Sequence, residues 1–265
     1  MSDTSEKEWN AATYHRVSQP QTEWGRKVLS RLSVRGDEQV IDAGCGSGRL
    51  TGELTRMVPH GRVVAIDRSW NMLVTARANL RPEFGKRVSY VRVELPRLPF
   101  SACADLVFST ATFHWIRDHE TLFAEILRAL KPGGRLFAQC GGGPNLAEAH
   151  ALAEEVMHRD PFAAHFRNWA GIWEFSSAER AAARMRQAGF VDVITSLEPA
   201  PTTLADEASY REFVTTVIYN AHLALLPDST LRPQFIDAIT EKAAHQDPPF
   251  TLDYWRLNLE GRKAA

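Results

Sequence analysis

Along the first half of the chain, short unbroken apolar runs alternate with longer stretches whose apolar residues recur every three or four positions. The short runs read as strands buried on both faces and the longer stretches as amphipathic helices. That alternation predicts βαβ units around a parallel sheet. A helix is predicted over residues 21–32, a strand over 39–42 and a helix over 48–57. A second strand over 63–67 ends in a carboxylate, and Ser69 then caps a helix through Leu80, with Pro82 and Gly85 at its exit. Residues 88–93 and 104–109 supply strands three and four. Asp118 caps a helix whose apolar stripe is Leu122, Phe123, Ile126, Leu127 and Leu130. The turn Lys131-Pro132-Gly133-Gly134 leads into a fifth strand over 135–140.

From Gly141 the rhythm changes. A mainly helical stretch is expected to about Phe175, then an alanine-rich helix from Ser176 or Ser177 to Gly189, and a sixth strand over 191–197. A second helical interval over 205–245 precedes a last strand over 250–259. The organisation expected is therefore an N-terminal helical segment, 1–33, that covers the site, and an α/β core over 34–140. A helical insertion follows over 141–175, the core continues over 176–198, a second insertion covers 199–248, and the last strand and tail fill 249–265. Both insertions are placed to cover the carboxyl edge of the sheet.

Composition narrows the field. The chain has 265 residues, is 44% hydrophobic and 24% charged, and carries a formal net charge of −1, which gives no general field for nucleic acid or membrane. Cys45, Cys103 and Cys140 are odd in number and far apart, as reduced thiols of a cytoplasmic protein would be. There is no His-Glu-x-x-His and no paired cysteine spacing, so no metal is expected. Oligomeric state is not legible.

The candidate chemistry starts at Val40-Ile41-Asp42-Ala43-Gly44-Cys45-Gly46-Ser47-Gly48, where a predicted strand runs into a glycine-rich turn. Glycine permits positive φ and lets a ligand approach the backbone without a Cβ in the way. In open α/β sheets, ligands bind at the carboxyl ends of the strands. The dinucleotide fingerprint needs a small residue at its sixth position, where this chain has Arg49 counted from Gly44 or Thr51 counted from Gly46. A phosphate loop is also absent. Further polar groups fall at later strand ends: Asp67, Glu94-Leu95, and the run Ser109-Thr110-Ala111-Thr112-Phe113-His114-Trp115. A carboxylate at Asp67 is placed to accept both hydroxyls of a ribose, and Glu94 with the Leu95 N–H to read an adenine edge.

This set resembles the class I S-adenosylmethionine-dependent methyltransferases. The matching pieces are the glycine loop, Val64-Ala65-Ile66-Asp67 with Met72, Leu98-Pro99-Phe100, Asp105-Leu106-Val107-Phe108-Ser109, and Leu130-Lys131-Pro132-Gly133-Gly134-Arg135-Leu136. They keep order and spacing over roughly residues 12–140, about half the chain. The resemblance implies a Rossmann-like, seven-stranded, mostly parallel sheet with helices on both faces and a helical cap. It also implies S-adenosylmethionine as cofactor, with S-adenosylhomocysteine as product. Carried over, the cofactor contacts are Tyr14, Asp42, Gly44, Cys45, Gly46, Asp67, Arg68, Met72, Glu94, Leu95 and Thr110. Glu94 stands where the family usually has aspartate.

Within the family the chain is similar to the trans-aconitate type, which methylates a carboxylate. Trp9-Asn10, Tyr14, and the run from Phe113 to Glu120 carry that likeness. That group often has arginines in the first helix, where this chain has Gln21-Thr22-Glu23-Trp24, which leaves a different acceptor open. The expected acceptor is a small molecule methylated on a carboxylate or hydroxyl oxygen. Carbon or nitrogen methylation of a quinone or natural-product scaffold and a non-catalytic cofactor-binding regulator are the alternatives. Substrate contacts are expected from Tyr14, His114, Trp115, Phe166, Trp169, Trp173, Tyr219 and His222, with Phe162, Phe166, Trp169 and Trp173 on helical spacing. His114 is the candidate base if the acceptor needs one, because histidine titrates near neutral pH.

Overall fold

The computed structural model describes residues 19–227 and 230–265. Helix α1 (Gln19–Arg31) precedes β1 (Gln39–Ala43), α2 (Arg49–Met57), β2 (Arg62–Asp67), α3 (Trp70–Phe84) and β3 (Val88–Arg92). Then come β4 (Ala104–Thr110), α4 (His119–Ala129) and β5 (Leu130–Gly141). The seven-stranded sheet has the order β3-β2-β1-β4-β5-β9-β6, where β6 is Phe190–Pro199 and β9 is Trp255–Lys263. The first five strands in that order are parallel, and β9 is antiparallel to both neighbours.

Alternation along the strands sorts side chains onto two cores. Val40, Val63, Leu106 and Phe108 face α1 and α2 with Val28, Leu29 and Leu54. Ile41, Ile66 and Val107 face the other way, against Leu122, Phe123 and Ile126 of α4 and Ala181 and Met185 of α7 (Ala178–Ala188). Ser69 caps α3 by accepting from the Met72 N–H, and Asp118 caps α4 by accepting from the Thr121 N–H. Lys131–Gly134 is an excursion within β5, because Ala104 pairs with Leu130 and Leu106 already pairs with Arg135.

Three expectations about the second half are corrected. First, residues 141–175 are not one long helical stretch. They hold α5 (Ala147–Met157) and one turn, α6 (Ala163–Phe166). Gly171, at φ 68, ends any helical path before Trp173, so the four aromatics do not share a helix face. Second, the interval 205–245 is broken into α8 (Glu207–Phe213), a π-helical turn (Val214–Ile218), α9 (Asn220–Leu223) and α10 (Leu231–Ala243). Third, the last strand begins at Trp255, not at residue 250. Asp253 interrupts it, because its carboxylate accepts from the Glu148 and Ala149 N–H groups at the start of α5. The displaced piece, β8 (Thr251–Leu252), pairs instead with β7 (Thr202–Thr203).

The helices α5, α6, α8, α9 and α10 enclose a separate apolar cluster around Phe166, Tyr210, Tyr219 and Phe235. Trp24 of α1 and Tyr254 join that cluster, so it closes over the carboxyl edge of the sheet. Among the described residues no helix is long and apolar enough to cross a membrane.

Candidate active site

A cavity of about 400 Å³ opens along the carboxyl ends of β1, β2, β4 and β5. The sheet order divides its lining. Ile66, Asp67, Arg68, Met72, Val93, Glu94, Leu95 and Pro96 lie on the β2–β3 side. Gly44, Gly46, Thr110, Ala111 and Thr112 form the middle. On the β5–β9 side are His114 to Asp118, Asn145, Leu146, Trp173, Phe175, Val217, Ile218, Tyr254 and Arg256, with Gln21 and Trp24 of α1.

Asp67 organises the first of these ends. Its Oδ2 accepts from the Gly46 N–H at 2.9 Å and its Oδ1 from the Ser69 N–H at 2.9 Å. Two acceptor positions of the carboxylate remain, which suits the paired hydroxyls of a ribose. Burial raises its pKa, and the two N–H groups act against that shift. Asp42 is more deeply placed. It accepts from the Thr51 hydroxyl at 2.6 Å, and burial, with the charge of Asp67 adding to it, pushes its pKa up to about 7.

The glycines differ in what they do. A Cβ on Gly46 would meet nothing within 4 Å, so its backbone is open to the cavity at φ 53. A Cβ on Gly44 would lie 2.1 Å from Thr112 Oγ1. The bare face of Gly44 is therefore taken by the loop after β4, which locks the two loops together. On the other side Gln21 Oε1 is buried against the cavity with no hydrogen-bond partner among the described residues. It is an acceptor suited to an ammonium group.

His114 follows β4 in a 3₁₀ turn (Phe113–Trp115) and rests 5.2 Å from the ring centre of Trp115 and 6.0 Å from that of Phe175. The Gly141 N–H donates to its Nδ1 at 3.2 Å. A neutral ring bonded in this way carries its proton on Nε2. Burial, assisted by the charge of Arg256, holds the pKa of His114 well below its ordinary value. His114 therefore presents an N–H donor. Of the two roles expected of His114, base and substrate contact, the Gly141 bond suits the second.

Several expected residues do not line the cavity. Asp42 is buried beneath it on Thr51. The Cys45 side chain packs against the cluster of Ala65, Leu80, Phe84 and Val88, and its N–H goes to the Ile66 carbonyl. Phe166, Trp169, Tyr219 and His222 are packed into the helical cap. Trp169 lies 4.6 Å from the His222 ring centre, and the Tyr219 hydroxyl donates to the Ala149 carbonyl at 2.7 Å. Of the aromatic set only Trp173 reaches the cavity, together with Trp115. Tyr14, with Trp9 and Asn10, lies outside the described residues.

Sequence reasoning missed Gln21, Trp24, Asn145, Phe175, Val217, Ile218, Tyr254 and Arg256. A signal existed for Arg256, an arginine inside an otherwise well-patterned strand. None existed for Val217 and Ile218, which the π-helical turn delivers. Its i→i−5 closure, from the Tyr219 N–H to the Val214 carbonyl at 2.7 Å, is not legible in residue spacing.

Comparison with known proteins places the chain among methyltransferases. A methyltransferase-domain family model matches residues 41–138. The trans-aconitate 2-methyltransferase of Methylobacterium radiotolerans is 28% identical, over 97% of this chain and 99% of that protein. That of Methylobacterium nodulans is 30% identical, over 74% of this chain and 70% of that protein. In fold the chain is similar to Haemonchus contortus phosphoethanolamine N-methyltransferase 2, solved with S-adenosylhomocysteine, at a TM-score of 0.62 and 20% identity. That likeness covers 96% of this chain and 57% of the other. The chain belongs to the class I S-adenosylmethionine-dependent methyltransferases, in the family that includes the trans-aconitate 2-methyltransferases. It is an enzyme of small-molecule methylation, and S-adenosylmethionine is its cofactor.

The residues present fit that cofactor. Asp67 keeps acceptor capacity for a ribose, Gly46 leaves open backbone, and Gln21 Oε1 offers a buried acceptor. Among the described residues no group of three or more His, Cys, Asp and Glu side chains is arranged to hold a metal ion.

Proposed function

We propose that this enzyme methylates a carboxylate oxygen of a small acceptor to give a methyl ester. The observation that carries this reading is the Gly141 N–H bonded to His114 Nδ1. It turns the histidine at the acceptor end into a donor, so an acceptor that must lose a proton finds no base there. A carboxylate is already nucleophilic. The names of the two trans-aconitate relatives support the same class of acceptor.

When bound, the cofactor supplies an electrophilic methyl group on a sulfonium. The protein's part is to hold, align and dehydrate. Asp67, Met72, Glu94 and Leu95 fix the adenosyl end, while Gly46 and Thr110 border the middle of the cavity where the methyl donor would sit. His114 Nε2–H holds the acceptor oxygen that does not attack, and the walls of Trp115, Trp173 and Phe175 keep water out. Such positioning is worth about 7–11 kcal/mol of barrier. The reaction brings a cation and an anion together to give neutral products, and a low-dielectric pocket strengthens their attraction.

The test is a panel of carboxylic acids with matched phenols and amines, read by mass spectrometry for alkali-labile methyl esters. Acids should be methylated at a rate flat from pH 6 to 9. His114→Gln, which keeps an N–H donor, should retain far more activity than His114→Phe. Methylation of phenols or amines with no reaction on acids would refute the reading.

A further inference from the structure

The acceptor end of the cavity has an unusual make-up for a site that takes an anion. Arg256 is only 3% exposed, yet it lines the cavity. It sits on β9 opposite Gly141 of β5, three strands along the sheet from β1 and its glycine loop and four from β2, which carries Asp67. Its guanidinium lies 4.6 Å from the ring centre of Trp24, a platform that fixes it by cation–π attraction. His114 is close enough for the arginine's charge to help keep the ring neutral. Asn145 is tied down through Oδ1, which accepts from the Trp255 N–H at 3.0 Å, so the donor end of its amide is what remains for a ligand. One cation and two neutral donors thus converge from β9, the loop after β4 and the loop after β5.

Apart from these, Gln21 of α1 and the exposed Arg117 and Asp118, the described lining of that end is aromatic or aliphatic. Leu146, Trp173, Phe175, Val217, Ile218 and Tyr254 form most of that wall, beside Trp24, Trp115 and Ile116. Among the described lining residues the other cations are Arg68, at the Asp67 end, and Arg117, which is exposed. A single carboxylate therefore finds a buried partner here. A second or third carboxylate would be pressed against aromatic and aliphatic walls, where an unpaired charge is strongly disfavoured.

From this geometry we infer that the acceptor carries its carboxylate on an apolar body, and that Arg256 is the residue that selects it. The guanidinium takes the carboxylate with His114 Nε2–H beside it, and the body lies against Trp173, Phe175, Val217 and Ile218. This rests on the carboxylate reading above and narrows it, away from polyacids such as trans-aconitate and toward aryl- or alkyl-carboxylic acids.

A carboxylate at Arg256 has two sources, the acceptor and the methionyl end of the cofactor, and the experiment separates them. Wild-type protein saturated with S-adenosylhomocysteine is titrated by calorimetry with cinnamate, octanoate and trans-aconitate, and the same acids are assayed for methyl-ester formation. The apolar acids should bind and react at least tenfold better than trans-aconitate. Arg256→Gln and Arg256→Lys, checked for cooperative melting, are then titrated with S-adenosylhomocysteine, with 5′-methylthioadenosine and with cinnamate. In Arg256→Gln, cinnamate affinity should fall about 30- to 100-fold and S-adenosylhomocysteine affinity change less than threefold, with Arg256→Lys between it and wild type.

A tenfold preference for trans-aconitate in the wild-type protein overturns the apolar-body inference, and needs no variant. Loss of S-adenosylhomocysteine affinity in Arg256→Gln, with methylthioadenosine unaffected, would assign the arginine to the cofactor and overturn its selective role. Methylation of phenols or amines with no acid bound at all would instead remove the carboxylate reading on which the inference stands.

Discussion

Asp42 is the group whose titration the fold disturbs in the most measurable way. Its carboxyl is buried on the Thr51 hydroxyl, and its pKa rises from 3.8 to about 7. The native state thus holds a proton over a pH range in which the unfolded chain has lost it. Stability contributed by this group falls as pH rises between those two values, since stability rises with pH only where the unfolded state binds more protons. A shift of about three units corresponds to roughly 4 kcal/mol over the whole range. Between pH 5 and pH 8 the share lost is about 2.5 kcal/mol. Asp42→Asn removes the titration and keeps a side-chain oxygen for Thr51. His150 and His222 are buried with their pKa values lowered to about 4 and about 3, and they titrate with the opposite sign. They do so equally in both proteins, so the comparison isolates Asp42. Urea unfolding of the pair at pH 5 and pH 8 should show the difference in stability, variant minus wild type, growing by about 2.5 kcal/mol at the higher pH. A difference that stays constant within about 0.5 kcal/mol would refute the reasoning, because Asp42 would then titrate like an exposed carboxylate.

Two further outcomes follow from the same loop. Asp67→Asn should weaken S-adenosylhomocysteine binding about 100-fold by calorimetry, the loss of roughly 3 kcal/mol expected when charge-assisted bonds to two hydroxyls are weakened; an affinity within threefold of wild type would remove the ribose assignment. Gly44→Ala and Gly46→Ala should part ways. The first drives a methyl group into Thr112 and should lower the melting temperature strongly, whereas the second meets open space and should melt close to wild type, at a strain cost of about 1 kcal/mol, while losing cofactor affinity. Equal melting temperatures would show that the interlock of Gly44 with Thr112 is not formed.

The half of the molecule built from local patterns was legible in advance. Apolar runs such as Val63-Val64-Ala65-Ile66 become buried parallel strands because both their faces are covered, so continuous hydrophobicity is itself the signal. Ser69 and Asp118 cap helices at the positions their side chains favour. The strand ends at Asp67 and Glu94 put their residues at the cavity for the same reason.

Residues whose place depends on contacts between distant segments were not legible. Phe166 and Trp169 look like a pocket wall by spacing, yet the ring of His222 draws them into the cap. The residue type of Asp42 suggests a ligand contact, but the partner it found was Thr51. His114 looks like a base until the Gly141 N–H, from a strand of its own, fixes its tautomer. Asp253 breaks the final apolar alternation because the start of α5 needs its oxygens.

The place of β9 has a consequence for how the molecule comes together. β5 ends at Gly141, but the strand that covers its edge begins only at Trp255, and β6 joins the sheet through that late strand. During synthesis, β5 is left as an open edge while the chain between them is laid down. The cofactor half, from β1 through β5, has all its strands in hand by then. The acceptor half gains its floor, and with it Arg256, at the last step of sheet assembly. A nascent chain of this protein thus completes the strands proposed to hold the methyl donor before it adds the arginine proposed to select the acceptor.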